Sequence, residues 1–563
     1  MIDISFFVPN FALSMQIDRV FDMKKLFILL VLMLSLGQWS QAQNAQNFPP
    51  DNKTVVIDST NLPIVWIDVD GATIQRRSRI GARMKVIHNG DGQLNYGDTV
   101  AHPGQHIDYE GYIALRYRGN STYRLSDKKA YSFRTLSHPL EESDDKKKVD
   151  ILGMGKDNNW ALLAPYSDRS MIRDLLGFEI ARPWMEYTPQ GRFCEVYLDG
   201  VYYGVYIMCE VVSKGKHRLN LDDPGEEGDA LTGGYLLEVG MNESMYHLSK
   251  YSPVDNNGKF YTDKYIIHQY KSPDYEDMTW PQINYINAAI DQMEDAFASD
   301  NFKDPEEGYR KYIDVMSFLD YQLVMEISHN VDAYRLSGKF YKRRDSIDPR
   351  FKMVVWDLNL AFGNARHNQG YKTNTWVYRS NPTLYANGDY MIPFWWYKLR
   401  CDNAYLNLRK ERWAEWRGAN VREDRIMATI DSLANVVTCY GAVERNSQAW
   451  PRWGVWVWPN YYVSTDYADE IAFLKDWLTT RIAWMDDQLG YEAPPLPPPP
   501  PPVIPKGDVN ADYQVNIADV NLLIDIILGG KVGEETMARA DVNEDGEITL
   551  GDIAAVLDII LDQ

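Results

Sequence analysis

The chain has 563 residues, of which 45% are hydrophobic and 24% are charged, so it can bury a large core and is expected to form more than one domain. Its 79 acidic and 58 basic side chains give a formal net charge of -21, and such a surface repels phosphate backbones, which excludes nucleic acid as an expected partner. Aromatic residues make up 13% of the chain, which excludes wholesale disorder.

The N-terminal region, residues 1–42, has the pattern of an export signal. A basic "MKK" that starts at Met23 precedes the apolar run "LFILLVLMLSLG", and the small residues of "SQA", ending at Ala42, offer a cleavage site. The apolar run is too short to span a bilayer, so we expect no transmembrane segment. Residues 1–22 stand awkwardly before a basic segment and suggest that translation begins at Met23. The mature protein is therefore predicted to be secreted, or attached to the surface of a bacterium.

The next part of the chain, from about 53 to 135, reads as strands. Stretches such as "LPIVWIDVDG", "ARMKVIHN" and "GYIALRYRGNSTYRLSDKKAYSFRT" are rich in β-branched and aromatic residues and are bounded by Gly, Asn and Asp. "FCEVYLDGVYYGVYIMCEVV" predicts a hairpin that turns at Asp199-Gly200. In that hairpin Cys194 and Cys209 lie on facing strands but several residues out of register, so a disulfide between them is not favoured.

From about residue 278 the pattern becomes helical. "WPQINYINAAIDQMEDAFAS" and "YIDVMSFLDYQLVMEISHN" predict helices, "GKFYKRRD" and "FKMVVWDLNLAFG" predict two short strands, and helices return after residue 391. A mostly β N-terminal lobe followed by a mostly helical C-terminal lobe predicts an α+β fold.

Two carboxylates stand at the junction of these parts. Asp332 follows a long apolar helix, and Asp357 ends the second short strand. In kinase-like phosphoryl transfer one Asp accepts the proton of the acceptor hydroxyl and another holds Mg²⁺ on the nucleotide phosphates. Basic side chains must also meet the phosphates, and "RGNSTYRLSDKKAY" supplies Arg118, Lys128 and Lys129. The residues alone leave open a simpler interpretation, in which each Asp caps a turn or a helix.

Other polar residues have simpler expected roles. Asp168, Ser170 and Arg173 in "YSDRSMIRD" are predicted to cap and pair at a helix start. His329 is predicted to be structural. Glu210, after the hairpin, is a candidate partner for a lysine of the β-rich lobe, by analogy with kinases.

The C-terminal part is separated from the large body, residues 43–492, by the proline-rich run "APPLPPPPPPVIPK" at 493–506. Such a run cannot form a helix or the interior of a sheet, so it predicts a semi-rigid spacer. The module after it, residues 507–563, contains a repeat: "GDVNADYQVNIADVNLLIDIIL" and "ADVNEDGEITLGDIAAVLDIIL".

Each repeat places oxygen side chains at loop positions 1, 3, 5, 9 and 12 and a backbone carbonyl at position 7, which is a ligand pattern for Ca²⁺. The predicted ligands are Asp508, Asn510, Asp512, Gln514 (carbonyl), Asn516 and Asp519 in the first loop, and Asp541, Asn543, Asp545, Glu547 (carbonyl), Thr549 and Asp552 in the second.

The two loop-helix repeats resemble a type I dockerin, because each loop ends in Asp rather than in the Glu of an ordinary EF-hand. The resemblance implies a small all-α module that binds two Ca²⁺ ions and docks on a cohesin module of a scaffold protein. Position 6 is Tyr513 in the first loop and Gly546 in the second. A sharp turn there favours Gly, so the first site is predicted to bind Ca²⁺ more weakly.

The large body resembles the spore coat protein H (CotH) family of atypical protein kinases over about residues 60–490. The resemblance is carried by five blocks in order: "RGNSTYRLSDKKAYSF", "LLAPYSDRSMIRDLLGFEIA", "VYLDGVYYGVYIMCEVV", "NVDAYRLSGKFY" and "VVWDLNLAFGN". It implies secreted phosphorylation of protein Ser or Thr, dependent on ATP and on Mg²⁺ or Mn²⁺. It also implies a two-lobed, distantly kinase-like fold with a β-rich N-lobe and a helical C-lobe.

The same resemblance assigns roles to single residues. Asp332 matches the catalytic Asp and Asp357 the metal-binding Asp, while Lys129 and then Arg118 are the expected phosphate contacts. Ser337 stands where many members have Asn, and Asn359 where many have a second Asp in "WDLD". Both can bind a cation through neutral oxygens, but fewer anionic ligands predict weaker Mg²⁺ binding.

Two other interpretations stay open at this point. One is a catalytically weak or inactive kinase-like component that serves binding or adhesion in a polysaccharide-degrading extracellular assembly, such as a cellulosome. The other is a glycoside hydrolase that uses paired carboxylates.

Overall fold

The computed structural model describes residues 54–242, 244–492 and 504–561, and the chain divides into two compact units between Tyr491 and Glu492. The predicted export signal, the proposed start at Met23 and residues 493–503 of the proline-rich run lie outside the described residues.

The larger unit begins with nine strands, of which seven form a closed barrel. The nine strands are β1 (Ser59–Thr60), β2 (Ile64–Asp68), β3 (Ile80–Ile87), β4 (Asn95–Tyr96), β5 (Ile107–Arg118), β6 (Ala130–Leu136), β7 (Asn159–Leu163), β8 (Gly191–Leu198) and β9 (Val201–Glu210). The order in the barrel is β2-β3-β5-β6-β7-β9-β8, and β1 and β4 pair with each other outside it. The barrel closes because β2 pairs in parallel with β8, while all other neighbours are antiparallel. Alternate residues such as Val65, Ile67 and Met84 fill its interior.

The predicted hairpin is confirmed as β8 and β9. Asp199 and Gly200 have φ values of 47° and 76°, the left-handed pair that a two-residue hairpin turn requires. Cys194 faces Tyr206 across the ladder and not Cys209, and all four cysteines are free. The sequence predicts these strands but not the closure of the barrel, because closure depends on the pairing of β2 with the distant β8.

The part after the barrel combines an antiparallel sheet, in the order β11-β12-β10-β13-β14, with helices. Its strands are β10 (Tyr235–Val239), β11 (Tyr246–Leu248), β12 (Ile267–Ser272), β13 (Gly338–Lys342) and β14 (Phe351–Val354). The sequence predicts β10, β13 and β14 but misses β11 and β12, because the short segment "IHQYKS" of β12 has no strict alternation. The α+β class is confirmed, although this half of the unit is less purely helical than expected.

The helices of the larger unit run from the barrel to Leu489. They are α1 (Ser121–Leu125), α2 (Arg173–Ala181), α3 (Gly228–Leu231), α4 (Trp280–Ala298), α5 (Val315–Ser328), α6 (Asn381–Ala386), α7 (Phe394–Arg400), α8 (Asn403–Gly418), α9 (Glu423–Thr438), α10 (Ala442–Ala449) and α11 (Tyr467–Leu489). Within the described ranges, no single helix is long and apolar enough to cross a membrane. Taken together, α9 and α10, which are bent at the break between them, reach the required length and composition.

A buried ion-pair network joins α2 to α11. The Arg173 guanidinium lies 2.6 Å from Asp168 Oδ1 and 2.7 Å from Glu470 Oε1, and all three side chains are buried. Asp168 Oδ2 also accepts a hydrogen bond from the backbone N–H of Arg173. The predicted pairing at the start of this helix is therefore confirmed, and its role is structural.

Replacing Glu470 by Ala is expected to lower the free energy of unfolding by about 3–5 kcal/mol, because it removes one of the two carboxylates that neutralise a buried guanidinium. Chemical denaturation of the purified protein measures this change. Glu415→Ala is the control, since Glu415 pairs with Arg412 at 2.6 Å but is 57% exposed, and its loss should cost at most about 1 kcal/mol. Equal costs for the two variants would contradict the structural role of the network.

The smaller unit is all-α in the residues described, as predicted. It contains α12 (Ile517–Ile527), α13 (Glu534–Ala540) and α14 (Leu550–Leu561). Val509 and Val542, the second residues of the two loops, are buried in one small core with Leu523 and Val556 from the helices. The two repeats therefore pack on each other rather than forming separate modules.

Candidate functional site

A cavity of about 1110 Å³ lies where the barrel meets the five-stranded sheet. It gathers residues that are far apart in the sequence and that the sequence analysis assigned to one site. These are Arg118 from the end of β5, Asp332 and Ser337 from the segment after α5, and Asp357 and Asn359 from the segment after β14. We call this cavity the cleft.

The cleft carries more positive than negative side chains. Its lining contains six basic residues (Arg76, Arg77, Arg116, Arg118, Lys271 and Lys339) and four acidic ones (Asp174, Glu238, Asp332 and Asp357). The charge of the cleft lining is therefore opposite in sign to the net charge of the whole chain, which is -21. Such a surface favours an anionic ligand at this place.

Asp357 is held in an unusual conformation. It lies three residues beyond the end of β14 at Val354, rather than at the strand end as expected, because the strand ladder stops earlier than the apolar run. Its φ is 64°, and Ser337, whose φ is 53°, donates a hydrogen bond from Oγ to Asp357 Oδ2 at 3.0 Å. Burial, and then the negative charge of Asp332, raise the pKa of Asp357. Left-handed residues in contact at one cavity are typical of functional sites.

The peptide group between Asp357 and Leu358 is held at both ends by buried side chains. Asn330 Nδ2 donates to the carbonyl of Asp357 at 2.9 Å, and the N–H of Leu358 donates to Asp174 Oδ1 at 2.7 Å. Asn330 Oδ1 also accepts the backbone N–H of Asp332 at 3.0 Å. One buried amide therefore connects the backbones of both predicted functional aspartates, an arrangement we call the Asn330 clamp.

The carboxylate of Asp332 is oriented by an arginine. Arg335 Nη2 lies 2.9 Å from Asp332 Oδ1, and Arg335 Nη1 lies 2.8 Å from Asp389 Oδ1. Burial raises the pKa of Asp332, and the charge of Arg335 opposes that shift. The preceding helix, α5, ends at Ser328, and its C-cap residue His329 has φ 46° and contacts Thr375 Oγ1 through Nε2 at 2.9 Å. The predicted structural role of His329 is confirmed.

A lysine–glutamate pair that the sequence analysis missed lies in the cleft. Glu238 of β10 and Lys339 of β13 are directly opposite in the ladder and form an ion pair, and Lys271 Nζ lies 3.0 Å from Glu238 Oε1. Although burial opposes it, Lys339 and then Lys271 hold the pKa of Glu238 down to about 2. The signal was present in the sequence, because Glu238 is the one charged residue in the apolar strand "YLLEV".

Lys129 and Glu210 do not line the cleft. Lys129 Nζ donates to the carbonyls of Tyr123 and Ser126, at 2.6 and 2.7 Å. Glu210 forms a buried ion pair with Arg218 at 2.6 Å, which occupies the place that we had expected a lobe lysine to take. Lys128 is buried too and donates to Asn446 Oδ1 at 2.9 Å. Of the cations expected at the phosphates, the structure brings Arg118 to the cleft, where its guanidinium lies 4.8 Å from the ring of Trp356.

The two loops of the smaller unit match each other bond for bond. Asp508 and Asp541, at position 1, each accept the N–H groups of positions 5 and 6, at 2.7–3.1 Å. Asp519 and Asp552, at position 12, each accept the N–H groups of positions 2, 3 and 9, at 2.8–3.1 Å. The two loops therefore close with the same geometry, in which the carboxylates of positions 1 and 12 bind the loop backbone.

The cation sites depend on neutral oxygens as well as on carboxylates. Within residues 54–242, 244–492 and 504–561, no group of three or more His, Cys, Asp or Glu side chains is arranged to hold a metal ion. The loops fit Ca²⁺ because amide and backbone carbonyl oxygens complete its coordination. In the cleft, the Ser337 hydroxyl contacts the Asp357 carboxylate, and Asn359 lines the same cavity.

Replacing Tyr513 by Gly is expected to strengthen Ca²⁺ binding at the first loop by about fivefold. Tyr513 has φ 67° and its counterpart Gly546 has φ 88°. A residue other than Gly loses about 1 kcal/mol in this left-handed conformation, and that cost reduces the free energy of Ca²⁺ binding when the loop orders around the ion. Calorimetry measures this with the second loop disabled by Asp541→Ala. The reciprocal change, Gly546→Tyr with Asp508→Ala, should weaken the second loop. Unchanged Ca²⁺ affinity in both variants would show that the backbone conformation at position 6 does not limit binding.

Comparison with known families gives two matches. A family model described as CotH kinase protein matches residues 115–485, about two thirds of the chain. The chain belongs to the CotH kinase family. A second model, described as Dockerin type I domain, matches residues 506–561. The comparison with curated proteins gives no match.

The match to the CotH kinase family covers the cleft residues from Arg116 to Leu360, whereas Arg76 and Arg77 precede it. The dockerin match covers both predicted calcium loops, and dockerin type I domains bind calcium. A CotH-like body with a dockerin indicates a protein that attaches to a cohesin module, in an extracellular or cell-surface assembly.

Proposed function

We propose that the protein is an exported, atypical protein kinase that transfers phosphoryl groups from ATP to protein Ser or Thr. In this proposal the dockerin tethers it to a cohesin-bearing complex. The observation that carries it is that Asp332 and Asp357 share a positively charged cleft and are connected through one buried amide. The family match gives independent support. The proposal makes the barrel the N-lobe, and the sheet with its helices the C-lobe, of a distantly kinase-like body.

Seven residues that line the cleft have a role in this proposal, and Arg335 supports one of them. Asp332 accepts the proton of the acceptor hydroxyl, and Arg335 keeps its carboxylate oriented. Asp357, with Ser337 and Asn359, holds Mg²⁺ or Mn²⁺, which when bound neutralises charge on the phosphates. Arg118 and Lys339 meet the phosphate oxygens, and Glu238 orients Lys339. Positioning and electrostatic stabilisation supply most of the rate.

A second candidate function is a kinase-like binding component with weak or no turnover, in a polysaccharide-degrading assembly such as a cellulosome. Ser337 favours it, because its hydroxyl donates to Asp357 Oδ2 and offers no charge to a cation. Asn359 likewise supplies a neutral oxygen. The family match gives no support to the third interpretation, a glycoside hydrolase.

Thermal or chemical unfolding with ATP and Mg²⁺ tests whether the cleft binds nucleotide. A ligand at 100 times its dissociation constant stabilises the folded protein by about 2.7 kcal/mol, and we expect the wild type to respond in this way. Arg118→Met should lose most of the response, whereas Arg192→Met should keep it, since Arg192 pairs with Asp91 outside the cleft. The absence of any response in the wild type would leave the binding component as the better account.

A further inference from the structure

A second cavity, of about 720 Å³, lies on the outer face of the barrel and shares no residue with the cleft. Its floor is a grid of outward-facing side chains on three neighbouring strands. The strand register sets these side chains in two rows that run across the strands. One row consists of Trp66 of β2, Lys85 of β3 and Glu110 of β5, and the neighbouring row consists of Asp68, Arg83 and Tyr112 of the same strands. Intervening residues such as Ile67 and Met84 point into the barrel core.

Two Asp-Gly turns form the rim of this cavity. Asp70-Gly71 follows β2 and Asp199-Gly200 joins β8 to β9, and all four residues have positive φ, between 47° and 76°. Asp199 Oδ1 accepts the N–H of Val69 at 2.8 Å, which ties the two turns together. The rim is therefore fixed by the geometry of the two turns and by one hydrogen bond from the backbone to a side chain.

Aromatic rings lie at opposite corners of the grid. Trp66 stacks on Tyr197 with ring centroids 4.1 Å apart and planes 5° apart, so one face of the indole is already packed. Its Nε1–H is buried and has no hydrogen-bond partner among the described residues. At the other corner the Arg83 guanidinium lies 5.1 Å from the ring of Tyr112.

The charges in this cavity distinguish its ligand from that of the cleft. Four carboxylates (Asp68, Asp70, Glu110 and Asp199) outnumber the cations Arg83 and Lys85, so a phosphate-bearing ligand is disfavoured. The barrel is closed, so it offers no free strand edge to which a peptide could add. Alternating donors and acceptors beside rigid aromatic rings suit a ligand that carries many hydroxyls on an apolar ring. We propose that this cavity binds a neutral carbohydrate.

Affinity electrophoresis of the full chain in gels that contain soluble polysaccharide tests this proposal. The probes are three neutral polysaccharides (hydroxyethylcellulose, xylan and galactomannan) and the anionic polygalacturonate. At least one neutral probe should retard the wild type. Trp66→Ala should weaken that binding by about tenfold or more. Trp280→Ala should leave it unchanged, because Trp280, an exposed tryptophan at the start of α4, does not line the cavity.

Glu110→Gln is the second site variant, because Glu110 is exposed and its replacement cannot unfold the barrel. It should weaken the same interaction, since Glu110 is an acceptor in the middle of the floor. Loss of retardation in both site variants, with the control unaffected, supports the proposal. No retardation by a neutral probe, retardation by polygalacturonate alone, or full retention of binding in Glu110→Gln and Trp66→Ala would overturn it.

Discussion

Replacing Asp332 by Asn is expected to reduce phosphoryl transfer by about 10²- to 10⁴-fold while leaving nucleotide binding intact. The amide keeps the size of the side chain but cannot accept the proton of an acceptor hydroxyl. Single-turnover labelling, together with the nucleotide-dependent unfolding shift, separates the two effects. Nucleotide binding should survive, because the phosphates are assigned to Arg118 and Lys339 and not to Asp332.

Asp389→Asn is the matched control for this experiment. Asp389 also pairs with Arg335, at 2.8 Å, but it does not line the cleft. Asp389→Asn removes one of the two carboxylates that pair with Arg335 but leaves Asp332 itself unchanged. If Asp389→Asn reduced transfer as much as Asp332→Asn, the effect would act through Arg335, and Asp332 would lose its assignment as the base.

Replacing Asn330 by Ala is expected to reduce transfer by about 10²-fold and to destabilise the fold by about 1–3 kcal/mol. The stability cost arises because the carbonyl of Asp357 and the N–H of Asp332 lose a buried partner. The larger loss of rate arises because a shift of about 1 Å between catalytic groups is enough to cost that factor. The variant tests whether the clamp positions the site or only stabilises the fold.

Asn381→Ala separates these two possibilities. Asn381 is also a buried amide that bridges backbone groups, donating to the carbonyls of Val254 and Ile392 and accepting the N–H of Ile392, but it lies outside the cleft lining. It should cost a similar amount of stability and leave the rate near that of the wild type. Equal loss of rate in both asparagine variants would show that the Asn330 clamp has no specific role.

The sequence predicts the dockerin more fully than the cleft, for a physical reason. All the ligands of one calcium loop lie within twelve residues, so their spacing alone specifies the geometry, and the loops of the smaller unit follow it. In the cleft, Arg118, Asp332 and Asp357 could be found because their family blocks stand out. The bonds made by Asn330 and Asp174 could not, because they join segments that meet only in the folded protein.

The positions of the charged pairs show the same limit. Analogy with kinases predicts a lysine partner for Glu210, but in the structure Arg218 forms the ion pair with that carboxylate. The pair Glu238–Lys339 forms instead, because β10 and β13 become neighbours in the sheet with these two residues in register. Sheet order is set by packing of the whole unit, which single-sequence patterns do not contain.

Transfer of label from terminally labelled ATP to protein, by the wild-type chain and by Asp357→Ala, tests the central claim most directly. Both proteins are measured with Mg²⁺ and with Mn²⁺, and cooperative chemical unfolding of the larger unit, which contains Asp357, serves as the check that each is folded. The account predicts that the wild type incorporates label and that Asp357→Ala does not, because Asp357 is the one charged residue assigned to the metal. Equal incorporation by the two proteins, or none by a folded wild type, would contradict it.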